Sequence, residues 1–334
     1  MVKDVRTLLG PPPVWLGLFF APLFLLLVTT RAQALEPLAT VDDLLRQLSQ
    51  SLQERAFRGH LTYEYGGQMD SLAIVHGLNN GVEQERILHL SGPVREAVRQ
   101  GRLANCVNAG SFLLRGGLAS NTLGVSASIN QNYQFVLRGE ERIAGRQAAL
   151  IQMVPKDALR YGVTLALDKA TGLPLMWLIQ NGQRKILERM QFVDIQLEPK
   201  FTDGDFKAEG QAVGIGVHKE QCFTAPAQPT QWRFHWLPPG FVLAQASREQ
   251  DGEYLTFTDG LAVFSVRVVP LVSAAHRRVG AALRGATLAM VTAFNDGDMH
   301  YQMSLTGEIP PETAQAVLAS IGRVPEEVVP QAAP

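Results

Sequence analysis

The stretch FRGHLTYEY, Phe57–Tyr65, alternates apolar and polar side chains with a period of two. Such alternation is typical of a β-strand with one buried face, because successive side chains of a strand point to opposite sides. Leu61 and Tyr63 then lie on the buried side, and Arg58 and His60 lie on the solvent side. The stretch therefore predicts a sheet that covers a core with only one of its faces.

Alternating segments of the same kind continue to residue 197, separated by short turn signals such as Asp168–Gly172 and Asn181–Gly182. Consecutive strands joined by short turns favour an antiparallel meander. Before them, TVDDLLRQLSQSLQERA has leucines every four residues and Thr40 at a capping position, which predicts an amphipathic helix. We expect this helix, and a shorter one near 111–119, to cover one face of the sheet.

A set of large side chains is expected to point toward the covered face of this sheet. They are Leu61, Tyr63, Leu88, Leu90, Phe135, Leu137, Val163, Leu165 and Trp177. An ordinary packed core under a helix is one interpretation of the set. The other is a partly open cavity for an acyl chain or an extended peptide, because one or two helices are too few to fill a strongly curved sheet. The sequence alone leaves both interpretations open.

The character of the sequence changes after residue 198. Residues 199–230 are rich in Gly, Pro and charged residues, which is typical of an interdomain linker, and a long loop inside one domain is the alternative. A smaller domain follows, with strong hairpin signals at Asp259-Gly260 and Asn295–Gly297. The segment PPETAQAVLASIG predicts a closing helix that begins near Pro311.

The segment WRFHWLPPGF, residues 232–241, opens the smaller domain. Trp232, Trp236 and Phe241 are predicted to anchor the core of that domain, because Trp232 and Trp236 alternate along a strand and the Pro pair after them ends it. Direct contact of this segment with a ligand is the alternative.

The N-terminus predicts export from the cytoplasm. Lys3 and Arg6 precede the apolar run Val14–Val28, and Ala32–Ala34 offers the small residues that a signal peptidase requires. We expect cleavage after this triplet and a mature, soluble chain; an uncleaved membrane anchor is the alternative.

The chain has two cysteines, Cys106 and Cys222. In an oxidising compartment an even pair favours a disulfide, and two separate buried thiols are the alternative. Because no CxxC spacing is present, a redox enzyme is not expected.

Composition and motifs argue against several classes of function. The 334 residues carry a formal net charge of −1, which offers no basic footprint for nucleic acid. The sequence contains no GxSxG, HExxH or Walker motif, and its seven histidines lack the spacing of metal ligands. We therefore expect a protein that is not an enzyme, with no catalytic residues, no metal and no cofactor.

An ordered set of motifs resembles the MucB/RseB family of periplasmic regulators of sigma-E (AlgU-type) signalling. The motifs are FRGHLTYEY, ILHLSGPVREAVR, ERIAGRQAALIQMVPKDALRYGVTLALDKATGLPL, WLPPGF, FTDGLAVFSV and TGEIPPETAQAVLASI. They occur in family order and span almost the whole mature chain, with the exception of residues 111–132.

The resemblance implies an α+β fold. The large domain is expected to be a half-open antiparallel β-barrel covered by helices, as in the lipoprotein carriers LolA and LolB, and a smaller C-terminal α/β domain of mixed structure is expected to follow. The expected division is a signal peptide 1–34, a half-barrel domain 35–198, a linker 199–230, a small domain 231–325 and a loose tail 326–334.

The resemblance also implies a function. Family members bind the periplasmic domain of a MucA/RseA-like membrane anti-sigma factor and shield it from regulated proteolysis. Lipid A or other acyl chains in the periplasm release the regulator, and homo-oligomerisation is left open. A lipid or lipoprotein carrier of the LolA/LolB type is the alternative function, and a hydrolase with an unrecognised site is a third.

Overall fold

The computed structural model describes residues 40–79, 82–100, 129, 131–202, 204–208 and 230–324. Several predicted features lie outside these residues: the signal peptide, the pair of Cys106 and Cys222, the short helix near 111–119, most of the linker and the tail after residue 325. They stay predictions.

The first element is helix α1, Val41–Glu54, at the predicted place. Its N-terminus is closed by a capping box, because the Thr40 hydroxyl accepts from the Asp43 N–H at 3.2 Å and the Asp43 carboxylate accepts from the Thr40 N–H at 3.2 Å. Leu44 and Leu48 lie on the buried side of the helix. The helix therefore presents an apolar stripe to the sheet that follows.

Nine strands form the first sheet. They are β1 (Phe57–Tyr65), β2 (Gln68–Asn79), β3 (Val82–His89), β4 (Glu96–Gln100), β5 (Tyr133–Ile143), β6 (Arg146–Pro155), β7 (Gly162–Asp168), β8 (Pro174–Gln180) and β9 (Ile186–Leu197). Their order is β4-β3-β2-β1-β9-β8-β7-β6-β5, with every described pair antiparallel. Consecutive strands pair as the predicted antiparallel meander requires, except that β1 pairs with β9 and β4 does not pair with β5. Among the described residues no strand joins β4 to β5, so the sheet they form is open with these two strands at its ends.

After residue 230 the described chain has eight further strands, one α-helix and a short 3-10 helix, Ala274–His276. They are β10 (Trp232–Phe234), β11 (Val242–Glu249), β12 (Gly252–Thr258), β13 (Val263–Leu271), β14 (Gly280–Arg284), β15 (Thr287–Asp296), β16 (Met299–Gly307), α2 (Pro311–Ala319) and β17 (Ile321–Arg323). Six of the strands form a second sheet in the order β11-β12-β13-β16-β15-β14, and β10 pairs with β17. The two predicted hairpins are β12–β13 and β15–β16.

The core of the second sheet contains Trp232 and Phe241, which are 3% and 6% exposed. Helix α2 covers this core with Ala314, Val317 and Leu318. Trp236 does not share the anchoring position expected for it, because β10 ends two residues earlier and the side chain is 37% exposed.

Candidate functional site

The inner face of the first sheet is the side whose residues form the apolar cluster with helix α1. Strand pairing aligns six of its side chains in one row from β1 to β5: Tyr63, Met190, Trp177, Leu165, Ile151 and Leu137. A parallel row contains Ile179, Val163, Met153 and Phe135. The structure thus brings together six of the nine predicted residues in these two rows, and Leu61 lies in the same cluster.

The inner face is covered. Leu61, Val163, Leu165 and Trp177 are between 2% and 5% exposed. Tyr63 and Phe135 are partly buried against the same cluster, whereas Leu137, at the end of its row on β5, is 45% exposed. Most of the face is a packed core in this state, so a ligand reaches its buried part only if a covering element moves.

Two of the predicted residues lie on the opposite side of the sheet. The pairing of β2 with β3 sets Ile74 opposite Ile87 on the inner face, so Leu88 points outward beside Ala73. Leu90 follows the end of β3 and is 49% exposed. The expectation for Leu88 and Leu90 is therefore wrong by one residue of register, which is enough to reverse a side chain's face.

A histidine of β2, His76, is buried as well. His76 is 4% exposed, and its ring stacks on Phe57 with the ring centroids 4.9 Å apart. His76 therefore contributes to the packing of the first sheet.

Two turns of the second sheet, here called the first tip and the second tip, pack against the inner face of the first sheet. The first tip is the turn Thr258–Ala262 between β12 and β13, and the second tip is the turn Arg284–Thr287 between β14 and β15. Leu261 in the first tip and Ala286 in the second are 3% and 0% exposed, and both belong to the apolar cluster of the first sheet. The second sheet therefore supplies part of the first sheet's core.

A buried ion pair holds the first tip. The Asp259 carboxylate pairs with the guanidinium of Arg160, and both side chains are fully buried. The same carboxylate oxygen accepts from the Tyr133 hydroxyl at 3.1 Å. Burial raises the pKa of Tyr133 well above its ordinary value, and the charge of Asp259 raises it further, so Tyr133 stays a proton donor.

The other contacts of Arg160 keep its charge satisfied. Its guanidinium donates to the Asp157 carboxylate at 3.0 and 3.1 Å and to the Pro239 carbonyl at 2.6 Å. Burial would lower the pKa of Arg160, but the hydrogen bonds with Asp157 and the charge of Asp259 outweigh that effect and raise the pKa. Arg160 therefore stays a cation that joins the two sheets.

A buried carboxylate holds the second tip. Glu188 on β9 accepts from the Ala286 N–H at 2.8 Å and from the Tyr63 hydroxyl at 2.9 Å. Burial and the charge of Glu188 raise the pKa of Tyr63 far above its ordinary value. Gly285 has φ +60°, and a Cβ there would lie 2.6 Å from the Glu188 Cγ, so only glycine allows this close approach.

The WLPPGF segment lies where the two sheets meet. Two residues of this segment contact Arg160. The Pro239 carbonyl accepts from its guanidinium, and the Phe241 ring centroid lies 5.3 Å from its guanidinium carbon. Gly240 has φ +83°, and a Cβ there would clash with the Asn132 side chain. This segment is thus a junction between the sheets as well as the start of the second one.

A second apolar region is an open groove between α2 and the β14–β15 edge of the second sheet. Its volume is about 570 Å³, and its walls include Val279, Ala281, Met290, Phe294, Leu318 and Ile321. Strand β14 is the outer strand of the sheet, and all five of its residues are exposed. Val279, directly before β14, is 79% exposed.

The groove has cations at both ends of its outer strand. Arg277 and Arg278 precede β14, and Arg284 is its last residue. Arg277 contacts the Asn295 amide oxygen and the His300 ring, and Arg284 lies over the Tyr65 ring at 4.1 Å. In the described part of the chain, none of these three arginines forms an ion pair with a carboxylate.

The described residues contain no group of three or more His, Cys, Asp or Glu side chains placed to hold a metal ion. Within the same residues, no helix has both the length and the apolar character required to cross a membrane.

The chain has a covered apolar face and an open apolar groove, and buried contacts join its two sheets. Apolar surfaces of this kind are features of a binding protein. The chain matches the models of the MucB/RseB N-terminal domain over residues 40–210 and of the MucB/RseB C-terminal domain over residues 226–322. The chain belongs to the MucB/RseB family, and the resemblance in its sequence motifs is confirmed.

Individual relatives agree with this assignment. The chain is 31% identical over 311 residues to the sigma factor AlgU regulatory protein MucB of Pseudomonas aeruginosa, covering 90% of this chain and 96% of the relative. It is 23% identical over 272 residues to the sigma-E factor regulatory protein RseB of Escherichia coli K12, covering 76% and 81%. A crystal structure of MucB in complex with MucA(peri) matches with a TM-score of 0.67 and 30% identity, covering 85% of this chain and 99% of that one.

Proposed function

We propose that this chain is a periplasmic negative regulator of an envelope-stress sigma factor and that it binds the periplasmic domain of a MucA/RseA-like anti-sigma factor. The observation that carries the proposal is the match, over 85% of this chain, to a MucB that was crystallised in complex with MucA(peri). On this proposal the chain is exported by a cleavable signal peptide, performs no catalysis and shields its partner from regulated proteolysis.

The groove between α2 and β14 is the docking surface that the geometry favours for this partner. An outer strand offers backbone N–H and C=O groups to an extended peptide, and apolar pockets beside it select side chains. Arg277, Arg278 and Arg284 favour a peptide that carries carboxylates, because opposite charges across an interface guide and align the partner. We infer that an extended segment with apolar and acidic side chains lies along β14.

Substitution of Val279 by glutamate tests this surface. Val279→Glu puts a negative charge on the groove wall and should weaken binding of a MucA-type periplasmic domain at least about tenfold, since an apolar anchor in a pocket contributes strongly to an interface. The matched control is Val272→Glu in the same segment, because Val272 is 98% exposed and does not line the groove. Isothermal titration calorimetry measures both affinities.

The two variants have a clear alternative outcome. Equal affinities for Val279→Glu and Val272→Glu would place the partner elsewhere on the chain. If the unchanged chain does not bind any MucA-type periplasmic domain, and instead recovers lipoproteins from a periplasmic extract, the regulator function is wrong and the carrier of the LolA/LolB type takes its place.

The inner face supports the second half of the proposal, in which lipid A or another acyl chain releases the regulator from its partner. Its two rows of apolar side chains suit an acyl chain chemically. A lipid changes partner affinity only if it prefers the state of the regulator that binds the partner poorly. The lipid response therefore requires two states of the cover over the inner face.

A further inference from the structure

The two tips occupy apolar space that an acyl chain on the inner face would need. Leu261 and Ala286 lie in one cluster with the buried side chains of the first sheet. Each tip joins two strands of the second sheet and is hydrogen-bonded within that sheet. Withdrawal of the tips would therefore break no strand pair of the first sheet and would expose the part of its inner face that the tips cover, while helix α1 stays in place.

Few polar groups hold the tips in place. The contacts that these groups make across the junction are distinct from the contacts that form each sheet. In the first tip the Asp259 carboxylate has two distinct roles. Its Oδ1 accepts from the N–H groups of Leu261 and Ala262 at 2.9 and 2.8 Å, inside the turn. Its Oδ2 faces Arg160 and Tyr133 across the junction.

The second tip is held in the same manner. The Glu188 carboxylate accepts from the Ala286 N–H, and the side chain is buried beneath the tip. Both tips thus combine one buried apolar side chain with one buried carboxylate contact. Such contacts favour a single docked position, because moving a tip leaves a buried charge without its partner.

We propose that the second sheet is a displaceable lid on the inner face, and that the two tips compete with an acyl chain for the same apolar space. The inference rests on the proposed lipid response and names the moving part. The apparent association constant for an acyl chain is then the intrinsic constant multiplied by the fraction of molecules whose tips are undocked. Loosening the tips should raise that affinity without any change in the apolar surface itself.

The variant Asp259→Asn separates docking of the first tip from the fold of its turn. The amide oxygen continues to accept from Leu261 and Ala262, whereas the amide NH₂ in the place of Oδ2 cannot accept from Arg160 or Tyr133. The side chain keeps its volume, so no new cavity forms for the probe. We expect the full chain with Asp259→Asn to bind dansyl-undecanoic acid about tenfold more tightly than the unchanged chain, as measured by dansyl fluorescence.

The matched control is Asp251→Asn. Asp251 pairs with Arg267 within the second sheet, and both side chains are more than a third exposed. This variant removes the same charge without touching the junction, and it should leave the affinity for the probe unchanged.

A milder variant keeps the proposal testable if Asp259→Asn does not fold. Tyr133→Phe removes only the hydroxyl that donates to Asp259, and it should tighten probe binding by about threefold. The lid proposal is wrong if folded Asp259→Asn and Tyr133→Phe bind the probe with unchanged or weaker affinity. It is also wrong if the unchanged chain does not bind the probe at all. Failure to bind a MucA-type periplasmic domain in the same samples would count against the proposed function alone.

Discussion

Replacement of Arg160 by alanine should lower the free energy of unfolding by about 3–5 kcal/mol, because it leaves the buried carboxylate of Asp259 without its cation. The Pro239 carbonyl and the Asp157 carboxylate lose donors at the same time. Urea denaturation followed by tryptophan fluorescence measures the loss, since Trp177 lies in the first core and Trp232 in the second.

The control for this prediction is Arg267→Ala. Arg267 pairs with Asp251 on the surface of the second sheet, where an ion pair contributes about 0–1 kcal/mol. If Arg160→Ala and Arg267→Ala have equally small effects, the ion pair of Arg160 and Asp259 does not hold the two sheets together.

The second large effect is expected from Trp177→Ala. Trp177 lies in the middle of the row across the inner face and is 4% exposed, so its loss should lower the free energy of unfolding by about 3–5 kcal/mol. Trp236→Ala is the matched control, since that side chain is 37% exposed, and it should cost less than about 1 kcal/mol. Thermal unfolding followed by circular dichroism compares the two variants. Equal losses would contradict the assignment of Trp177 to the core and of Trp236 to the surface.

The period of two in the sequence was sufficient to predict much of the inner face. Tyr63, Val163 and Leu165 lie there because each belongs to a strand with clear alternation. Trp177 lies in the nearly continuous apolar segment PLMWLIQ, and its pairing with Leu165 places it on the inner face. In the segment ILHLSG, however, Ile87 and Leu88 are adjacent apolar residues, so the pattern fits either face. The strand pairing resolved the ambiguity in favour of Ile87, and an outward-facing leucine is ordinary on a protein surface.

The junction between the sheets could not be predicted from the sequence. Asp259-Gly260 was a good turn signal, and the turn is present, but its second role depends on an arginine 99 residues away. Glu188 and Ala286 are likewise 98 residues apart. Such contacts depend on how two folded units meet, and local spacing carries no information on that.

The groove is not predictable from the sequence for a different reason. Strand β14 has the sequence GAALR, in which three small residues give no alternation and glycine disfavours a strand. Its position comes from pairing with β15 rather than from its own preference. The exposed Val279 and the three arginines near it were the signals in the sequence that could have indicated a surface for a partner.

Hydrogen–deuterium exchange at the two tips is the most direct test of the displaceable lid. The full chain is compared with and without saturating dansyl-undecanoic acid, and peptides that cover residues 258–262 and 284–287 are followed by mass spectrometry. If the acyl chain replaces the tips, the Ala286 amide loses its partner Glu188 and exchanges faster, while the strands of the first sheet stay protected. The amides of Leu261 and Ala262 keep their bonds to Asp259 within the turn and serve as the internal reference. Slower or unchanged exchange of the peptide that contains Ala286 in the presence of bound probe would contradict the account.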